Sequence, residues 1–267
     1  MKLIVKGDDL GWTAGINAGF EKAAEEGILT AAGAMPNMKY FEDGIQRIKN
    51  YPHISIGQHT CLVLGDPVAD VKDIPHIVDG NGKFLSSRFY RAHDTSDPGF
   101  MPYYEEYKTE IKAQVERFIQ IAGRKPAYFE GHATGSVAMG KALHDVAEEY
   151  DIFQLSREMN EKGRNNVYFA PLGEYAFDIF RNPDPYAQFH CDPIDYILKD
   201  GFHVLDKEYA IMMFHPGFVD ADIMKASTFH GVRIKDTEAL CSQEFKNWIC
   251  ENSIRLINYY DLREALL

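Results

Sequence analysis

Residues 1–12, Met-Lys-Leu-Ile-Val-Lys-Gly-Asp-Asp-Leu-Gly-Trp, decide the fold: a short apolar run, Lys2 to Gly7, drives straight into two adjacent carboxylates, Asp8 and Asp9. An apolar run of this length bounded by polar and glycine residues reads as a buried strand. Asp8 to Gly15 then reads as a loop, and residues 16–27 place Ile16, Phe20 and Ala23 at helical spacing, with Gly27 as the glycine that ends the helix. Strand, loop and helix in that order are the unit of a parallel α/β sheet.

The unit recurs. Residues 28–35 read as a strand and 41–50 as a helix, 53–58 as a strand and 105–123 as the longest amphipathic helix, 127–131 as a strand and 138–150 as a helix. Near the end come the apolar run 209–214, a helix over 237–252, and a closing strand and helix within 253–267. The expected architecture is α/β: one domain over residues 1–267, an irregular (β/α) barrel-like fold with a mainly parallel sheet. Two stretches break the rhythm, about 65–99 and about 157–193, and loops of that length in a barrel are expected to build the active site. Their aromatics, Phe84, Phe89, Tyr90, Tyr103 and Tyr104 among them, are of the kind that stacks on sugar rings.

Bulk composition narrows the function. Lys and Arg number 28 against 40 Asp and Glu, a formal charge of −12 that repels phosphate backbones and argues against a nucleic-acid partner. No apolar stretch approaches a membrane span and the N-terminal run is too short for a signal peptide, so no membrane partner and a cytoplasmic location are expected. The four cysteines contain no C-x-x-C pair and read as reduced thiols; a thiolate ligand at Cys61 is the rarer alternative to a plain buried cysteine.

Chemistry concentrates where strands end. Four apolar runs lead into Asp8-Asp9, His59, His132 and His215. Parallel strands carry their C-terminal ends to one face, so residues some two hundred positions apart converge there. Taken singly, each has a plainer reading: an Asp pair caps helices, and a lone histidine is more often a hydrogen-bonded interior group. Four strand ends together favour a site. One carboxylate of the Asp8-Asp9 pair and two imidazoles, His59 and His132, form a three-ligand set for one divalent metal ion that leaves a position open. Zinc suits the imidazoles, and magnesium remains open. Such an ion acidifies water and polarises a carbonyl, chemistry that hydrolyses amides and esters. Asp8 and Asp9 point to different sides of the strand end, so one can ligate the ion while its neighbour serves as general base, and His215 is the candidate acid for a leaving amine.

Further residues match a known family. Met35-Pro36-Asn37, Ile56-Gly57-Gln58-His59, Gly65-Asp66-Pro67, Asp79-Gly80-Asn81-Gly82-Lys83-Phe84, Pro126 to His132, His215-Pro216-Gly217 and Arg233 with Glu238 and Leu240 follow one another in the order and spacing of the YdjC-like carbohydrate deacetylases. The chain resembles that family over most of its length. The resemblance implies a metal held by Asp9, His59 and His132, Asp8 as base, His215 as acid, Asn37 and Arg233 as substrate-binding residues, a small N-acetylated carbohydrate such as a chitooligosaccharide as substrate, and a homodimer. Two departures stand out: Glu130-Gly131 replaces the family's Asp-Ser, and His132 is followed by Ala133-Thr134-Gly135-Ser136 where the family carries more histidines. A non-catalytic sugar or sugar-phosphate binding protein of carbohydrate uptake is the alternative function, although such a protein would need neither base nor acid.

Overall fold

The computed structural model describes residues 1–93, 103–133, 135–155, 166–176 and 186–266. Strand β1 (Lys2–Leu10) lies at the centre. Parallel partners flank it: β2 (Ala31–Ala34) on one side, β6 (Tyr209–Phe214) on the other, with the two-residue β7 (Arg255–Leu256) at its N-terminal end. Outward from β2 come β3 (Ser55–Thr60) and β4 (Phe129–Gly131), and outward from β6 comes β5 (Val167–Phe169). Every pairing among these seven strands is parallel, so their C-terminal ends share one pole, as the α/β reading requires.

Alternation along β1 sorts its side chains. Leu3 and Val5 pack with Ile16, Phe20 and Phe41 of helices α1 (Ala14–Glu25) and α2 (Phe41–Ile48). Ile4 faces the other way, into a second cluster with Tyr128, Ile211 and Tyr259. Strand period therefore sets Lys6 and Asp8 on the face of Ile4. Strand β6 repeats the arrangement, with Ala210, Met212 and Phe214 toward the helices and Tyr209 and Ile211 inward. Burying each large apolar side chain of this kind contributes about 1.5–3 kcal/mol, so the alternation fixes strand register firmly. A third cluster joins α4 (Tyr104–Ala122) and α5 (Val137–Glu149) to the segment from Met35 to Tyr90.

The structure departs from the sequence reading in several places. Strand β1 runs on through Asp8 and Asp9 to Leu10, where a loop was expected. Helix α1 closes on Glu26 rather than on a left-handed Gly27; a left-handed glycine does end α4, at Gly123 with φ 69°. The helix expected over 237–252 is two: α8 (Gly231–Cys241) and α9 (Gln243–Glu251), divided at Ser242, whose extended backbone and side-chain oxygen cap α9 at Phe245. The apolar periodicity continues across Ser242, which is why the break was not legible. The second long stretch holds an unexpected three-residue strand, β5, and helix α6 (Pro193–Leu198) starts where it ends. Of the smaller helices, α3 (Ser87–Arg91) lies within the first long stretch, α7 (Ala221–Ala226) follows β6, and α10 (Tyr259–Leu266) comes last.

Candidate metal centre

Adjacent residues of a regular strand point to opposite faces, so Asp8 and Asp9 should diverge. They do not. The β1–β2 register slips between Asp8 and Leu10, and Asp9 takes φ 82°, a left-handed conformation that non-glycine residues adopt at a cost of order 1–3 kcal/mol. This bulge turns both carboxylates into one cavity of about 920 Å³, which His59, His132, His215 and Arg233 also line.

Three donor atoms meet on its floor. His59 Nε2 lies 3.0 Å from His132 Nδ1 and 3.5 Å from Asp9 Oδ1, and His132 Nδ1 lies 3.1 Å from the same oxygen. Donors bound to one ion at about 2.1 Å stand about 3.0–3.4 Å apart, so the spacing suits a shared cation. Asp9 Oδ1 is buried without a hydrogen-bond donor, an expensive state that a cation would relieve. These residues fit a divalent ion.

Charge around the floor is arranged in pairs. Arg233 Nη2 donates to Asp9 Oδ2 at 2.7 Å, its Nε donates to the Phe229 carbonyl at 2.9 Å, and its guanidinium lies 5.1 Å from the Trp12 ring. Burial opposes ionisation of Asp9, but Arg233 and His132 hold it well below the ordinary carboxylate range. Lys6 is 1% exposed, contacts Glu130 Oε2, and stands 3.0 Å from Asp8 Oδ1. Burial and the Glu130 charge push Asp8 up to about 7 against Lys6 and His59, whereas Lys6 and His59 overcome burial to bring Glu130 down to about 2. His59 is raised to about 8: burial lowers it, and Asp8 and Glu130 more than compensate. An ion binding at Nε2 therefore displaces a proton at neutral pH.

Sequence comparison identifies the family of the chain. The YdjC-like protein family matches residues 2–251. The chain belongs to the YdjC-like protein family. Carbohydrate deacetylase 2 of Listeria innocua is 31% identical over 265 residues, covering 98% of this chain and 99% of that protein. The carbohydrate deacetylase of Brevibacillus brevis is 27% identical over 278 residues, covering 98% and 100%. A crystal structure from Enterococcus faecalis, described as a putative cellobiose-phosphate cleavage protein, superimposes with a TM-score of 0.74 at 23% identity, covering 98% of each chain. The half-barrel of parallel strands is thus shared.

In this YdjC-like chain, Asp8, Asp9, His59, His132, His215 and Arg233 come together, and Asn37 does not. The Asn37 amide donates to the Leu64 carbonyl at 2.8 Å and tethers the loop above the site instead of lining the cavity. Arg233, expected to bind substrate, lines the cavity; its Nη2 pairs with Asp9, and its Nη1 is buried without a hydrogen-bond partner. Phe84 and Tyr90 are buried in the third cluster, so they present no face to a sugar; Trp12 and Phe169 line the cavity in their place. Cys61 is fully buried and donates to the Leu64 carbonyl, the plain reading of that thiol. Both long loops contribute walls, through Ser86, Ser87 and Arg91 and through Leu172; residues 94–99, 157–165 and 177–185 of them lie outside the described set.

Sequence reasoning missed Lys6, Glu130 and Asp236. Lys6 had a signal, since alternation from Ile4 aims it inward. Asp236 accepts the His215 backbone N–H at 2.7 Å and the Tyr175 hydroxyl at 2.9 Å, fixing the start of the His215 loop. Nothing in its local sequence announces that role.

Proposed function

We propose that this protein is a metal-dependent deacetylase that removes acetyl groups from N-acetylated sugars or oligosaccharides of the chitooligosaccharide kind. The Asp9–His59–His132 cluster on the cavity floor carries the reading, and the names of its full-length relatives support the substrate class.

Asp9, His59 and His132 would hold one divalent ion, zinc in preference to magnesium because two of the donors are imidazoles. Such an ion supplies Lewis-acid polarisation of the acetyl carbonyl and acidifies water. Asp8 lines the same cavity outside the trio and takes the proton of the attacking water at its carboxylate. Gly7 pairs with Phe214 in the β1–β6 register, so His215 follows the strand end level with Asp8. His215 rests neutral: burial, with Arg233, His59 and His132 outweighing Asp9, pushes it down to about 3. As negative charge develops beside it, it takes up the proton that Asp8 removed from the attacking water and passes it to the departing amine. Arg233 holds Asp9 in place, and Trp12 and Phe169 offer the apolar surfaces a sugar ring needs.

The reading takes residues 1–267 as one unit, since the sheet runs from Lys2 to Leu256. Among the described residues no helix is long and apolar enough to cross a membrane, and all four cysteines are free. A cytoplasmic homodimer is the form we propose, the dimer from the family resemblance and the compartment from the free thiols.

Acetate release from N-acetylglucosamine oligomers tests the function. Release that chelator abolishes and zinc restores is the expected result. Oligomer binding without any acetate, at full metal loading, would instead favour the binding-protein alternative.

A further inference from the structure

Two ligand-type groups meet at the strand pole, Asp9–His59–His132 and Asp8–His59–Glu130. They share His59, which offers one ring nitrogen to each: Nε2 faces His132, and Nδ1 lies 2.9 Å from Glu130 Oε1. The second group already surrounds a cation. Lys6 Nζ contacts Glu130 Oε2 and lies 3.0 Å from Asp8 Oδ1, with the rings of Phe169 and Tyr128 at 5.4 and 5.9 Å. Gly33 provides the room, because a Cβ there would stand 2.8 Å from Asp8 Oδ1 and 2.9 Å from Glu130 Oε1.

We propose that Lys6 is a resident cation of this second group, so that the centre takes a single divalent ion and Glu130 is left to position His59. A carboxylate accepting from Nδ1–H fixes the imidazole tautomer and turns the Nε2 lone pair toward the first group. A buried carboxylate and a partly buried one facing one cavity, Asp8 and Glu130, form a cation site unless a charge is already tethered there. The Lys6 ammonium is that charge, and it cannot exchange. Glu130 is in this sense a positioning residue acting through His59, and Lys6 a positioning residue acting through Glu130 and Asp8. The inference rests on Asp9, His59 and His132 being metal ligands.

Zinc titration of the metal-free full-length protein against a competing chelator tests it, with thermal melting recorded in parallel. Wild type is expected to bind one zinc per chain. Glu130→Gln should still bind one, about 10–100-fold more weakly. Lys6→Met should exceed one zinc per chain, and Lys6→Met/Glu130→Gln should return to one, with the affinity of Glu130→Gln alone. Glu110→Gln, which alters a buried carboxylate holding the Val68 and Ala69 amides, should lower the melting temperature and leave zinc affinity unchanged. A Glu130→Gln affinity within threefold of wild type, or Lys6→Met at one zinc with wild-type affinity, overturns the proposal. If Lys6→Met does not fold, the charge-balanced double variant decides: affinity tenfold below Glu130→Gln overturns it. Zinc binding that His59→Ala leaves untouched would sink the ligand assignment itself, a separate failure.

Discussion

Replacing Arg233 with Met removes one half of a buried ion pair. Arg233 Nη2 and Asp9 Oδ2 are 2.7 Å apart, and both side chains are 2% exposed, so water cannot replace the lost partner. Breaking such a pair costs about 3–5 kcal/mol, because an uncompensated charge stays buried. At about 2–4 °C per kcal/mol for a chain approaching this length, the metal-free variant should melt roughly 6–20 °C below wild type. Zinc supplies the missing positive charge at Asp9. Saturating zinc should therefore raise the variant's melting temperature more than the wild type's and narrow the gap. Differential scanning fluorimetry in chelator and in excess zinc reads both numbers. A drop under 2 °C in chelator, or equal zinc shifts in the two proteins, would refute the role given to Arg233. Unchanged melting with a raised KM for oligosaccharide would return it to substrate binding.

Other perturbations follow from the same contacts. Gly33→Ala forces a Cβ against Asp8 and Glu130, and should cost about 1–3 kcal/mol in urea unfolding while weakening zinc binding. Asp236 is buried and raised to about 7, chiefly by burial, so its folded pKa lies above its unfolded one. Wild type should then lose stability relative to Asp236→Asn as pH rises from about 4 to 7, by up to about 1.4 kcal/mol per unit; urea melts at pH 5 and 7.5 show the sign. Ser242→Ala removes the α9 cap and should cost about 1 kcal/mol with acetate release unchanged in a coupled assay.

Much of the site was legible because parallel strands convert position in sequence into position in space. Apolar runs ending at Asp9, His59, His132 and His215 had to deliver those residues to one pole. The bulge at Asp9 was not legible, since alternation sends Asp8 and Asp9 to opposite faces and only the φ of 82° overrides it. Nor was the partnership of Lys6 with Glu130, residues 124 positions apart whose meeting depends on strand order rather than on local pattern. Arg233 shows the limit of motif matching: the residue was found, and its partner Asp9, 224 positions away, became visible only in the folded chain. The break at Ser242 and the short β5 fall below what apolar periodicity resolves in a window of ten or more residues.

If Asp9, His59 and His132 hold the ion, acetate release depends on all three. Metal content and acetate release should be measured together on wild type, Asp9→Ala, His59→Ala and His132→Ala. One divalent ion per wild-type chain is expected, with loss of both ion and activity in each variant whose circular dichroism stays native. Acetate release persisting in a natively folded variant that has lost its ion would contradict it.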